Sequence, residues 1–271
     1  MMEGKDKFIS STKYIDADHL GNRRIEIFIN KKRKRDMEYD YKDDNIKVTT
    51  SNKRAKININ LKVVKLNSID YGYKLLKKIN DKKNITTDIL EIYGNKAPSK
   101  ELSESASVYR HIANLFCRKL GTEYYNTLSK DPNVLCLVVA DGVNPKTGHI
   151  FAGMTAWKVS SIDPIMNDKW IENPRHSNLT CIKSLVEDVD FSYIKDHSMV
   201  IVVAVHSHAN TNELWNRLIT YNKPLIYLSV PCCTGFVHKV NDVVPILDIN
   251  DDTILSDKNN VVVWTTYEKL L

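Results

Sequence analysis

The chain has 271 residues, 42% hydrophobic and 27% charged, with a formal net charge of +6. That is the balance of a globular protein with one sizeable domain and an appendage, or two small domains. No apolar run approaches the roughly 20 residues needed to span a bilayer, and Met1 to Lys13 is too polar for a secretory signal, so an intracellular, non-secreted protein is expected, cytoplasmic or nuclear. Five cysteines, adjacent only at Cys232-Cys233, give no disulfide framework.

The positive charge is local. Residues 1–65 hold 17 Lys and Arg against 10 Asp and Glu, leaving 22 against 23 for the remainder. The surplus centres on Lys31, Lys32, Arg33, Lys34 and Arg35. Such a run contacts RNA phosphates, serves as a nuclear address, or is a solvated flexible segment. Residues 1–55 show little periodicity beyond a strand-like Ile25–Ile29 and read as a loosely attached or disordered segment.

Residues 56–130 read as an α+β extension. Ile57 to Val63 alternates as a strand, and Leu75–Ile79 and Ile85–Ile92 are short helices. Ser99–Leu120 is a longer helix, with Pro98 at its start, Glu101 and Glu104 in its first turns, and Val108, Ile112 and Leu115 on one face. Tyr124–Leu128 extends the helical region. After Asp131-Pro132 the texture changes, and residues 131–271 form the main domain. Val134–Ala140 is a continuous apolar run, as in a strand covered on both faces. Further strands are predicted at 158–162, 179–183, 199–205 and 225–230, with helices at His149–Trp157 and Thr211–Tyr221, the latter capped by Asn210 or Thr211. This alternation predicts a mostly parallel sheet with right-handed crossovers. Val243–Leu247 and Val261–Thr266 are expected to close it as an antiparallel edge.

Ligands of open α/β sheets lie outside the carboxyl ends of the strands, where the strand order reverses. The first strand runs into Asp141-Gly142-Val143-Asn144-Pro145-Lys146-Thr147-Gly148. Two glycines in a strand-to-helix turn let a ligand approach the backbone, although neither the dinucleotide fingerprint nor a Walker loop is present. The second strand ends at Asp163, an acid about 20 residues on that can accept bonds from ribose hydroxyls. Glu187 and Asp188 follow the third strand, near where an adenine amino group would lie. This spacing points to a nucleoside-type pocket.

The fourth strand ends in His206-Ser207-His208-Ala209 and the fifth in Val230-Pro231-Cys232-Cys233, with His238 beyond. Together with Val203-Ala204-Val205-His206 and the helix around Glu213-Leu214, these residues resemble methyltransferase-domain proteins that include tRNA ribose 2′-O-methyltransferases. In that group a His-Ala-Cys-Gly tetrad follows strand four and Val-Pro-Cys-Cys follows strand five. The resemblance covers about Val134 to His238, though only His206 of the tetrad matches. It implies a Rossmann-like class I methyltransferase sheet that binds S-adenosylmethionine (SAM) through Asp141, Gly142, Pro145, Gly148, Asp163 and Asp188. His206 is then the expected general base for a hydroxyl or amine acceptor. Asp141 would hold the cofactor's amino group. RNA is the expected acceptor because of the basic run; the other reading is an inactive Rossmann-fold scaffold. Read as chemistry alone, His206, His208, Cys232, Cys233 and His238 suggest a zinc site, but adjacent cysteines rarely share one ion, so no metal is expected. Cys232 as a covalent nucleophile and both cysteines as small packing residues complete the alternatives.

Overall fold

The computed structural model describes residues 67–79, 91–94, 97–232 and 239–271, together with the backbone of four short strands nearer the N-terminus. It divides into two compact units, Met1–Leu66 and Asn67–Leu271. In the first, Lys13–Tyr14 pairs antiparallel with Glu26–Ile27, and Met37–Asp40 with Lys47–Thr50. The predicted strand at Ile57–Val63, the basic run Lys31–Arg35, the predicted helix over 85–90, and Cys233 and His238 lie outside the described residues.

The second unit is built on a seven-stranded sheet. Its strands are β1 Val134–Val139, β2 Lys158–Ile162, β3 Leu179–Ile182, β4 Met199–Val205, β5 Leu225–Val230, β6 Leu247–Asn250 and β7 Asn260–Thr265. The order is β3-β2-β1-β4-β5-β7-β6. β1 pairs in parallel with β2 and β4, as do β2 with β3 and β4 with β5. β7 inserts antiparallel between β5 and β6. This is the class I methyltransferase sheet expected from the sequence, with its antiparallel edge. The order reverses between β1 and β4, which makes the carboxyl ends of those two strands the switch point.

All six residues of β1 are buried, as are six of the seven of β4. Both faces of each strand are covered. On one face Val134, Cys136, Val138, Ile201, Val203 and Leu228 pack against α1 (Asn67–Ile79), α2 (Pro98–Leu120) and α4 (Lys146–Met154), α3 being the short Thr122–Leu128. On the other, Leu135, Leu137, Val200, Val202 and Tyr227 meet α6 (Thr211–Ile219) and the turns at 186–196, α5 being Asp168–Glu172.

α2 begins with Pro98 in its first turn, carries Glu101 near its N-terminus and Arg118 and Lys119 in its last turn, and stops at Gly121 (φ 94°). Each feature suits the helix dipole or its termini. Its N-terminal half is buried nearly all round, and the segment 251–255 is bonded along it. Ser107, Arg110 and His111 all donate to Asp251, and Ser103 Oγ accepts from Leu255 N at 3.0 Å. α6 is capped by Asn210, which accepts from Glu213 N.

Several predicted elements have other bounds; α1 starts at Asn67, not Leu75. α4 starts at Lys146, not His149, because the Asp141 carboxylate already holds the amides of Thr147 and Gly148 and draws them into the first turn. It ends at Met154 because Thr155 is extended and the buried Trp157 indole donates to Leu128 O at 2.7 Å. The edge strand predicted at 243–247 forms at Leu247–Asn250, beyond Pro245, which has no N–H for a ladder.

Candidate functional site

A cavity of about 190 Å³ opens at the switch point. Val138 to Gly142 from the end of β1 and Val205 and His206 from the end of β4 line it, roofed by Glu101, Glu104 and Ser105 of α2 and by Lys146 and Thr147 of α4. Both strands leave the sheet through a non-glycine residue with positive φ: Ala140 (60°) and His206 (52°). Left-handed backbone at such residues costs about 1 kcal/mol or more and concentrates at functional sites.

Glu104 is the residue that the sequence did not single out as functional. It is 2% exposed, and its Oε1 lies 2.7 Å from His206 Nε2 and 3.2 Å from Lys100 Nζ. Burial pushes the Glu104 carboxyl up, but the hydrogen bond and charge of His206, together with Lys100, outweigh it and hold the group below the usual carboxylate range. A carboxylate only accepts, so the Nε2 of His206 carries a proton in this bond. The Nδ1 of the same ring is buried and has no partner among the described residues. Beside this dyad, Lys146 Nζ lies 2.8 Å from Glu101 Oε2, and Ser105 Oγ lies 3.1 Å from Thr147 Oγ1.

The residues expected to hold a cofactor divide into three groups. Gly142 (φ 84°) lines the cavity, and the nearest atom to a Cβ built there is Lys146 Nζ at 3.9 Å, so the backbone is open to a ligand. Asp163 lies beside it at the end of β2, its Oδ2 accepting from Gly142 N at 2.8 Å and its Oδ1 from Ile165 N at 2.9 Å. The carboxylate therefore ties the β1 and β2 turns together, with acceptor capacity left on both oxygens.

Asp141 and Gly148 shape the start of α4. Asp141 Oδ1 accepts from Thr147 N, and Oδ2 from Gly148 N and Ser161 Oγ, each at 2.8 Å. These bonds cap α4, and the same residue lines the cavity. Burial raises its pKa, opposed by those same three bonds. At Gly148 a Cβ would stand 3.0 Å from Ser161 Cβ and 3.1 Å from Asp141 Oδ2; the glycine lets α4 press on β2 and leaves no gap for a ligand. Pro145 is the buried residue preceding α4, and Asp188 is exposed on a 3₁₀ turn, away from the cavity lining.

Three exposed aliphatic side chains follow three adjacent strands: Val143 (46%) after β1, Ile165 (62%) after β2 and Leu185 (53%) after β3. Each lies a few residues beyond the carboxyl end of its strand, and together they are the exposed apolar side chains, or rim, of that edge. On the opposite side of the switch point, Cys232 donates from Sγ to His206 O at 3.7 Å and so supports the β4 turn. His208 is exposed. Among the described residues no group of three or more His, Cys, Asp or Glu side chains is placed to hold a metal.

No family model and no curated protein matches the chain. Solved structures do resemble it. One is a 1,6-didemethyltoxoflavin-N1-methyltransferase from Burkholderia thailandensis with bound S-adenosylhomocysteine (SAH), 11% identical over 94% of this chain and 97% of that one, TM-score 0.36. Another is MtNAS in complex with MTA and tNA, 12% identical over 75% of this chain and 73% of that one, TM-score 0.35. A third is a cyclopropane-fatty-acyl-phospholipid synthase-like protein from Lactobacillus casei, 15% identical over 58% and 57%, TM-score 0.36. The strand order and the antiparallel insertion of β7, and not these similarities, carry the fold assignment.

Proposed function

We propose that the chain is a SAM-dependent methyltransferase whose cofactor lies along the carboxyl ends of β1, β2 and β3. The observation that carries this is the juxtaposition, on a class I methyltransferase sheet, of an open Gly142 turn, Asp163 at the end of β2 and the apolar Val143–Ile165–Leu185 rim. The residues suit the group. The rim offers aliphatic surface to an adenine, Asp163 offers carboxylate acceptors to ribose hydroxyls, and Gly142 with Lys146 faces the amino-acid end. The cofactor supplies a methyl group on a sulfonium, an electrophile that needs no further activation. The protein's part is to align the acceptor with it and take up a proton. His206 is the residue suited to the second task, since it lines the cavity at the end of β4 and Glu104 faces its imidazole.

The finer kinship with the tRNA ribose methyltransferase group rests on His206 and on Val230-Pro231-Cys232. RNA as the acceptor rests on Lys31–Arg35 alone. The cavity itself does not favour it, because Glu101 and Glu104 line the route to His206.

The test is transfer of a tritiated methyl group from SAM to separate pools of RNA, small amines and small alcohols. Transfer to one pool that is lost in His206→Asn supports the reading. SAM binding without transfer to any pool would replace it with an inactive Rossmann-fold binding module.

A further inference from the structure

We propose that Glu101 is a built-in competitor at the site: in the empty molecule its carboxylate occupies the seat on Lys146 that the carboxylate of the cofactor's amino-acid end takes on binding. This rests on the cofactor reading above and names a regulation of the same site.

Charge alternates across the roof of the cavity. Lys146 Nζ lies 2.8 Å from Glu101 Oε2, and Glu101 Oε1 lies 3.8 Å from Lys100 Nζ. Lys100 Nζ in turn lies 3.2 Å from Glu104 Oε1, and that oxygen 2.7 Å from His206 Nε2. The chain fastens α4 to α2, and α2 to the end of β4. Its links differ in accessibility. The Glu104 side chain is 2% exposed, whereas those of Glu101 and Lys146 are 28% and 25% exposed. Breaking the inner link strands a buried charge, while the outer pair can change partners at little cost.

The position of Lys146 makes its ammonium the group that a ligand meets. Nζ is the atom nearest to a Cβ built on Gly142, at 3.9 Å, so a ligand seated against that open turn touches it. The backbone beneath is held, with Lys146 O accepting from the Tyr93 hydroxyl at 3.2 Å and Lys146 N donating to Asn144 O at 2.8 Å. The side chain can therefore exchange one carboxylate for another while the start of α4 stays in place. Among the lining residues Lys146 alone carries a permanent positive charge, and Glu104 and Asp141 repel an anion placed deeper. Glu101, once displaced, keeps Lys100 nearby and reaches water, so neither carboxylate is left without a counter-charge. A free carboxylate gains little by this exchange. One tethered to a nucleoside already bound at the turn acts at high effective concentration, so the competitor selects for the intact cofactor.

The experiment is calorimetric titration of the full chain with three ligands: SAH, its analogue 4-(5′-adenosylthio)butyrate, which lacks the amino group, and 5′-methylthioadenosine, which lacks the carboxylate as well. Glu101→Gln should bind SAH and the butyrate about two- to fivefold more tightly than wild type, the range for a partly exposed ion pair. Lys146→Met should bind both at least about tenfold more weakly, through loss of a charge-assisted bond. Both variants should bind 5′-methylthioadenosine as wild type does, which shows that the pocket is folded; a gain of affinity cannot come from misfolding. Unchanged or weaker binding of SAH by Glu101→Gln would overturn the proposal, and weaker SAH with unchanged butyrate would assign Glu101 to the cofactor's ammonium instead. SAH bound no more tightly than 5′-methylthioadenosine by wild type would also overturn it, and in each of these cases the nucleoside binding leaves the cofactor reading standing. Failure of all three ligands to bind would strike the cofactor reading and the proposal together.

Discussion

At the scale of single residues, the site is a compromise between reactivity and backbone cost. His206 holds φ at 52° so that its imidazole meets Glu104 below α2. Asparagine tolerates left-handed backbone better than most residues. His206→Asn should therefore keep the melting temperature within a few degrees of wild type while lowering methyl transfer about 10²-fold or more, the usual loss on removing a general base. A comparable loss accompanied by unfolding would mean that His206 is a structural histidine. Gly148 is the opposite case, a residue whose value lies in what it lacks. Gly148→Ala places a methyl 3.0 Å from Ser161 Cβ, between α4 and β2. Overpacking of this kind costs about 1–3 kcal/mol, to be read as a lower urea midpoint at unchanged slope.

At the scale of elements, α2 and α4 are fixed by buried polar bonds as well as by apolar packing. Asp251 accepts from Ser107, Arg110 and His111 of α2 and from Thr253 N and Oγ1; burial raises its pKa, but the bonds from His111, Ser107 and Thr253 hold the carboxyl well below the usual range. Asp251→Ala strands several donors at once. It should cost about 3 kcal/mol, the scale for breaking a buried charged network, and raise hydrogen exchange in the first half of α2. Uniform protection in the variant would contradict that role.

α4 carries a second buried polar pair. His149 Nδ1 lies 2.9 Å from His176 Nε2, and burial, with the neighbouring His176 and Arg175 charges, lowers the His149 pKa to about 3; burial and Arg175 lower that of His176 as well. His149 Nε2 is buried without a partner among the described residues, so the cheaper tautomer places the proton on Nδ1 and leaves a lone pair at Nε2. The folded state binds fewer protons than the unfolded state between about pH 6.5 and pH 3. Stability is thus full above the unfolded value and falls as pH drops through that window. Unfolding free energy measured by urea from pH 7.5 to 4 should decline more steeply in wild type than in His149→Phe, and equal slopes would show that the pair does not couple to folding.

At the scale of the whole molecule, period and composition carried the sheet. Runs such as Val134–Val139 and Met199–Val205 are legible because burial on both faces leaves no polar alternation. The switch point followed, and with it Gly142, Asp163 and His206. Glu104 was not legible: in sequence it is one more acid in the first turns of an amphipathic helix, and only the folding of α2 over β4 brings it to His206, 102 residues away. The double use of Asp141 was hidden for a related reason, since an acid after a strand reads the same whether it faces a ligand or the helix that follows. The apolar rim escaped notice because Val143, Ile165 and Leu185 are single aliphatic residues in three separate loops, aligned only by the parallel register.

The central claim is that this carboxyl edge of β1, β2 and β3 is a cofactor site. Calorimetric titration of the full chain with SAH, alongside Ile165→Asp, tests it most directly. Ile165 is 62% exposed, so the substitution leaves the core untouched while placing a charge in the apolar rim. Saturable one-to-one binding by wild type is expected, weakening at least about tenfold in the variant, the order expected when a charge replaces apolar contact. Absence of binding to wild type, or binding that the rim substitution leaves unchanged, would contradict it.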